Sequence, residues 1–181
     1  MGLHLERHKQ GAPLKGFKLR MPWLLSNITG GLICAALGAL FEVTVQKVVL
    51  IALFIPLILT LAESIAVQSM TLSIEQALAK RRFSGQVMQE FLTALLLGAT
   101  TGVLVGLVSL FWRGPLAATL AIAGAVCATM VIASLLGQTV PKIIHALKLN
   151  PRIASGPITL AVVDVATITV YLGGATAVLG G

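Results

Sequence analysis

The sequence predicts an all-α, polytopic membrane protein of five transmembrane helices, with the N-terminus cytoplasmic and the C-terminus outside. Three observations predict this. The 181 residues are 57% hydrophobic and only 10% charged, whereas a soluble domain is about 25% charged. Long apolar runs alternate with short basic stretches, which is how a helical membrane protein reads. The basic stretches also fall on alternate loops. Five of the thirteen Lys and Arg precede the first span, three lie in the loop near residues 71–90 and three in the loop 142–152. Only Lys47 and Arg113 fall on the other side, and this bias sets the orientation.

Residues 1–21 form a basic segment with Arg7, Lys9, Lys15, Lys18 and Arg20 interleaved with Leu14, Phe17 and Leu19. That mixture predicts a short amphipathic stretch at the membrane surface. Trp23 marks the interface. Residues 22–181 form the membrane domain, with spans over about 22–41, 48–70, 91–112, 116–140 and 153–180. The first carries no charge and gives way to the break Glu42–Lys47. The second holds Pro56 and Glu63. The loop after it contains Lys80-Arg81-Arg82, a run suited to lipid phosphates. The third is uncharged and places Gly98, Gly102 and Gly106 on one face, which predicts a close helix crossing. The turn Arg113-Gly114-Pro115 leads to the fourth span, expected to end at Pro141. The fifth holds Pro157 and Asp164.

Several classes are excluded or disfavoured. The net charge of +7 comes from residues beside apolar spans, with no interleaved basic and aromatic face, so no nucleic-acid partner is expected. Cys34 and Cys127 sit in apolar spans and form no disulfide or metal spacing. No nucleotide-binding loop or nucleophile–base pair is visible, so no enzyme and no cofactor are expected. No secretory leader is expected from the first residues, and Glu6 breaks the myristoylation pattern. His145, Glu42, Glu75 and Glu90 lie in loops or near span ends, where water reaches them.

Chemistry points to Glu63 and Asp164. An ionised carboxylate inside a membrane is costly unless it is paired, hydrated or facing a cavity, and no mid-span Lys or Arg is available to either acid. A cation is the natural partner. The competing explanation is a protonated acid hydrogen-bonded between helices. Ser64 and Gln68 follow Glu63, and Thr167 and Gly156 flank Asp164, so these six are the candidate metal residues, with Gly156 as a carbonyl or close-approach position. Prolines in membrane helices free backbone carbonyls, a feature of transporter ion sites. An all-oxygen set suits a hard, largely hydrated divalent ion, and nothing here suits a soft metal.

The order of short motifs resembles the transmembrane domain of the MgtE family of magnesium channels and transporters. The similar stretches are Met21-Pro22-Trp23-Leu24-Leu25-Ser26-Asn27, Leu40-Phe41-Glu42, Pro56 with Gln68-Ser69, and Glu90 with Leu95-Leu96-Leu97-Gly98. The most specific runs from Pro141 through Asn150-Pro151 and Ala154-Ser155-Gly156-Pro157 to Asp164-Val165. The resemblance implies a homodimer in a prokaryotic cell membrane. Its pore would lie on the two-fold axis between the second and fifth spans, with Asp164 holding hydrated Mg2+ as the transported ion. Where the family usually has Gly-Gly-Asn, this chain has Ala62-Glu63-Ser64, so Glu63 is expected to add negative charge to the path. The cytosolic sensing domains that many relatives carry are not in this chain, which is expected to be a stand-alone membrane form or an excised domain. A proton- or Na+-coupled exporter and a non-transporting membrane scaffold are the alternatives.

Overall fold

The computed structural model describes residues 13–78, 86–112, 114–147 and 151–179. The basic run 80–82, most of the N-terminal segment and Arg113 lie outside the described residues. In chain order the elements are α1 (Pro13–Leu40), α2 (Glu42–Lys47), α3 (Val49–Leu78), α4 (Gln86–Phe111), α5 (Leu116–Ala146) and α6 (Pro151–Leu179). Among the described residues all regular structure is helical. Five helices are long and apolar enough to span a membrane, with spans of 24 to 29 residues and mean hydropathy of 1.6 to 2.4. At 1.5 Å per residue the shortest reaches about 36 Å, beyond the ~30 Å hydrocarbon core. The short α2 makes the corner between α1 and α3.

Only a helix satisfies every backbone group within its own segment in lipid. The threonines reinforce this by turning their hydroxyls back onto their own helices. Thr29, Thr60, Thr71, Thr93, Thr139, Thr169 and Thr176 each donate to the carbonyl four residues earlier at 2.7–2.8 Å. Thr100 does the same to Leu96.

Helix α5 is the centre of the bundle and packs against α3, α4 and α6. Ile51, Phe54, Ile58, Ile122, Val126, Val163, Tyr171 and Leu172 form the core shared by α3, α5 and α6. The Tyr171 hydroxyl donates to the Ile51 carbonyl at 2.8 Å, and Thr44 and Thr176 share a hydrogen bond of 2.8 Å. These contacts fasten α6 to α3 and α2 at one end of the bundle. Helix α4 meets α5 on the three glycines singled out above. A Cβ added at Gly98 would lie 3.0 Å from the Cys127 carbonyl oxygen, and one at Gly102 only 2.6 Å from that of Ala123. At Gly106 it would lie 3.3 Å from the Ala123 Cβ. Among the described residues helix α1 packs on α6 and α2. Leu24, Leu32 and Leu40 on it are exposed.

Two expected boundaries differ from the structure. Pro141 does not end the fourth span, because α5 continues through it to Ala146. Pro22 likewise lies inside α1. A membrane helix tolerates proline where neighbouring helices pack over the freed carbonyl, and Pro141 is buried. Interior prolines therefore do not set α3 and α6 apart from the other spans; their acids do.

Candidate ion site

Helices α3 and α6 pack together, and this contact unites the two intramembrane acids. Glu63 and Asp164 are neighbours across this contact, close enough for each carboxyl to feel the other's charge. Asp164 Oδ1 is buried and has no hydrogen-bond partner among the described residues. Two adjacent carboxyls repel when both are ionised, unless a positive charge lies between them. Cys34 of α1 is within electrostatic range of Asp164, so three helices converge here. Nothing in the sequence pattern marked Cys34 as a neighbour of Asp164; only the packing of α1 on α6 brings it there.

The other four predicted residues are placed differently. Ser64 and Gln68 lie on the exposed side of α3, where Gln68 Nε2 donates to Ser64 Oγ at 3.4 Å. Gln68 is five residues from Glu63, about 140° around the helix. It therefore extends the outer face with Ser64 instead of meeting Asp164. Thr167 is buried at 2% exposure. Gly156 is half-buried, and a Cβ there would make an ordinary 3.7 Å contact with the Trp23 ring. It lies eight residues, about 12 Å, from Asp164 along α6. Among the described residues the six thus divide into the carboxyl pair, the Ser64–Gln68 pair on the outer side of α3, and Thr167 and Gly156 along α6.

A wider feature surrounds Ser64. Thr60, Ser64, Gln68 and Glu75 are all exposed on α3, and Thr71 is half-exposed. Their spacing of three or four residues draws one continuous polar ridge along the helix. This ridge runs along the span of highest mean hydropathy, 2.4. Lipid cannot solvate such a ridge. Among the described residues no three of His, Cys, Asp or Glu converge in a way that could hold a metal. The chain therefore presents two neighbouring carboxyls and, on the outer face of α3, a row of polar side chains that reaches Glu75.

A bundle of five helices long and apolar enough to cross a membrane, with two acids brought together between two of them, defines a polytopic membrane protein. The chain belongs to the MgtE family, whose model, described as divalent cation transporter, matches residues 55–174. It is 31% identical to the magnesium transporter MgtE of Bacillus subtilis over 162 residues, which is 87% of this chain and 36% of the relative. It is 29% identical to the magnesium transporter MgtE of Enterococcus faecalis over 163 residues, covering 88% of this chain and 36% of that protein. The Thermus thermophilus magnesium transporter MgtE is 29% identical over 173 residues, with 91% and 37% covered. The chain thus spans about a third of the length of the curated relatives it matches.

Proposed function

We propose that this chain forms the ion-conducting membrane part of a divalent cation transporter. It carries Mg2+ as a largely hydrated ion along a path lined by α3 and α6 at the axis of a homodimer. The observation that carries the reading is the union of Glu63 and Asp164 at the contact of α3 and α6. Asp164, with a buried oxygen that has no hydrogen-bond partner among the described residues, is the principal ligand. Glu63 adds a second carboxylate, and Ser64 and Gln68 offer neutral oxygens to the hydration shell. A two-fold axis beside the ridge repeats each group. Four carboxylates then face one another, and the ridge faces water and its own copy instead of lipid. Mg2+ gives up its waters reluctantly, so outer contacts of this kind suit it.

The names of the relatives support magnesium as cargo, and the alternation of basic loops supports the N-terminus on the cytoplasmic side. The test is Mg2+ entry into proteoliposomes followed with a trapped indicator. Asp164→Asn should slow entry by about tenfold or more, equivalent to ~1.4 kcal/mol of lost stabilisation. Undiminished entry in a well-folded variant would overturn the reading. Entry that requires an imposed pH gradient would replace a channel with a coupled carrier.

A further inference from the structure

Helix α1 carries the least buried of the five apolar spans. Three contacts give its register on α6. A Cβ on Gly156 would lie 3.7 Å from the Trp23 ring, and one on Gly30 only 2.8 Å from the Ala161 Cβ. Cys34 is within electrostatic range of Asp164. The two helices therefore run parallel, as expected of spans that each follow a basic stretch.

A groove of about 490 Å³ opens along this joint, with Gly30 and Ala161 among its lining. Its other walls are Ser26, Thr29 and Ile33 of α1 and Ile158, Val162 and Val165 of α6. The spacing of three and four residues on both helices draws the groove along the helix axes. The lining is nearly all apolar. The Thr29 hydroxyl already donates to the Leu25 carbonyl at 2.8 Å.

Depth and width restrict what fits. Trp23 marks the interface, and Ile33 lies ten residues, about 15 Å, further along α1. That is half of the ~30 Å hydrocarbon core, or one leaflet. Spread over the about 10.5 Å from Ser26 to Ile33, the volume averages about 47 Å² in section. A helix with its side chains is about 10–12 Å across, roughly 80–110 Å² in section. The groove is too narrow to enclose a helix and suits an alkyl chain.

Charge selects the headgroup. Residues 1–21 hold five Lys and Arg against one acid, Glu6. Lys18 is exposed. It lies eleven residues, about three turns, before Thr29, and so lines up with that edge of the groove. Arg20 is also exposed, but it lies nine residues before Thr29, on the opposite side of α1.

We propose that the groove between α1 and α6 binds an anionic phospholipid from the leaflet on the N-terminal side. An acyl chain lies against Ile33, Ile158 and Val162, and the phosphate pairs with Lys18. A lysine at a span end reaches the headgroups by extending along the apolar surface, and basic residues there attract anionic lipid. Trp23 presents its ring and its N–H at the same level. The inner end of the chain reaches Ile33 and Val165, the sequence neighbours of Cys34 and Asp164. The lipid thus braces α1 on α6.

The experiment is quenching of Trp23 fluorescence by phospholipids with brominated acyl chains. The protein has two tryptophans, so Trp112→Phe leaves Trp23 as the reporter. The whole chain is reconstituted in dioleoylphosphatidylcholine vesicles with increasing brominated phosphatidylglycerol or brominated phosphatidylcholine. The anionic lipid should bind about fivefold more tightly, the worth of one basic residue at a membrane surface. Lys18→Gln should bring the two lipids to parity, and Arg20→Gln should keep most of the preference. Val162→Phe, which fills the groove from an exposed position, should abolish it. Equal quenching by the two lipids in the Trp112→Phe background would overturn the proposal, and is the result if a second copy of the chain covers the groove. Equal losses in Lys18→Gln and Arg20→Gln would overturn it in favour of diffuse surface charge. A preference that survives Val162→Phe would overturn it in favour of a headgroup contact without the groove. The readout is lipid contact, so it stands or falls apart from Mg2+ flux past Asp164.

Discussion

Replacing Gly137 by Ala tests whether α3 and α5 depend on backbone contact. The added Cβ would sit 2.5 Å from the Ala66 carbonyl oxygen, 3.1 Å from its Cα and 3.2 Å from its carbonyl carbon. Ordinary contact begins at 3.4 Å, so the helices must part by about 0.9 Å. The obstacle is backbone, so no rotamer change relieves it. Two hydrogen bonds flank the crossing, Ser69 to Ser134 at 2.9 Å and Ser73 to the Gln138 carbonyl at 3.1 Å. The same separation carries both beyond the ~3.5 Å at which a hydrogen bond ends. Overpacking costs about 1–3 kcal/mol, and each interhelical bond in a membrane is worth about 0.6 kcal/mol. The sum is about 2–4 kcal/mol, or a midpoint about 4–16 °C lower. Thermal unfolding in nanodiscs measures it. Gly124→Ala is the control, because a Cβ there meets nothing within 4 Å and helix propensity then favours Ala by about 1 kcal/mol. If Gly137→Ala and Gly124→Ala melt together, the close crossing is refuted.

Three more outcomes are expected. Gly102→Ala, with 2.6 Å to a backbone oxygen, should loosen α4 from α5 and lower the midpoint by several degrees. Gly106→Ala, at 3.3 Å from a single methyl group, should do much less; equal effects would refute this account of the glycine face. Tyr171→Phe removes the 2.8 Å bond to the Ile51 carbonyl and should cost about 0.5–1.5 kcal/mol in the same melt, with Mg2+ flux retained. Glu63→Gln keeps the shape and removes a charge beside Asp164. It should lower Mg2+ flux or change ion preference in proteoliposomes, and identical flux and selectivity would remove Glu63 from the path.

The spans were legible because the bilayer imposes length and apolarity on every segment that crosses it, and Val49–Glu75 or Leu116–Ile144 meet both demands throughout. The glycine face of α4 was legible for a similar reason, since a four-residue repeat of the one residue without a Cβ serves close approach. The orientation of α3 was not. Its face toward α5 and α6 carries Ile58, Ala62 and Ile65, and its exposed face carries Leu53, Leu57 and Val67. With apolar residues on all sides, hydrophobic periodicity has nothing to report. Gln68 therefore read as a candidate metal residue alongside Glu63, whereas it lies on the exposed side of α3 with Ser64. Pro141 misled because proline stops helices in water, where an unpaired carbonyl exposes a better alternative.

The separation of faces on α3 also bears on how an ion would be held. Glu63 is half-buried beside Asp164, while Thr60, Ser64 and Gln68 are exposed on the same helix. A monomer would leave the outward row against lipid and the carboxyls with only each other. In the proposed homodimer a second copy across the ridge would relieve both conditions at once. It would turn the row into one wall of a hydrated passage, with the carboxyl pairs at its edges. The inner acid then sets the charge that draws a cation in. The outer hydroxyls and amides, one turn apart, supply the hydrogen bonds that a hydration shell needs as it moves. On this arrangement Glu63 and Ser64 do different things although they are adjacent in sequence. Loss of the Glu63 charge should weaken attraction for every divalent cation. Ser64→Ala should leave attraction intact and alter discrimination among ions by the waters they keep. Flux competition between Mg2+ and Ca2+ separates the two effects, and identical competition profiles for both variants would show that the two residues share one role.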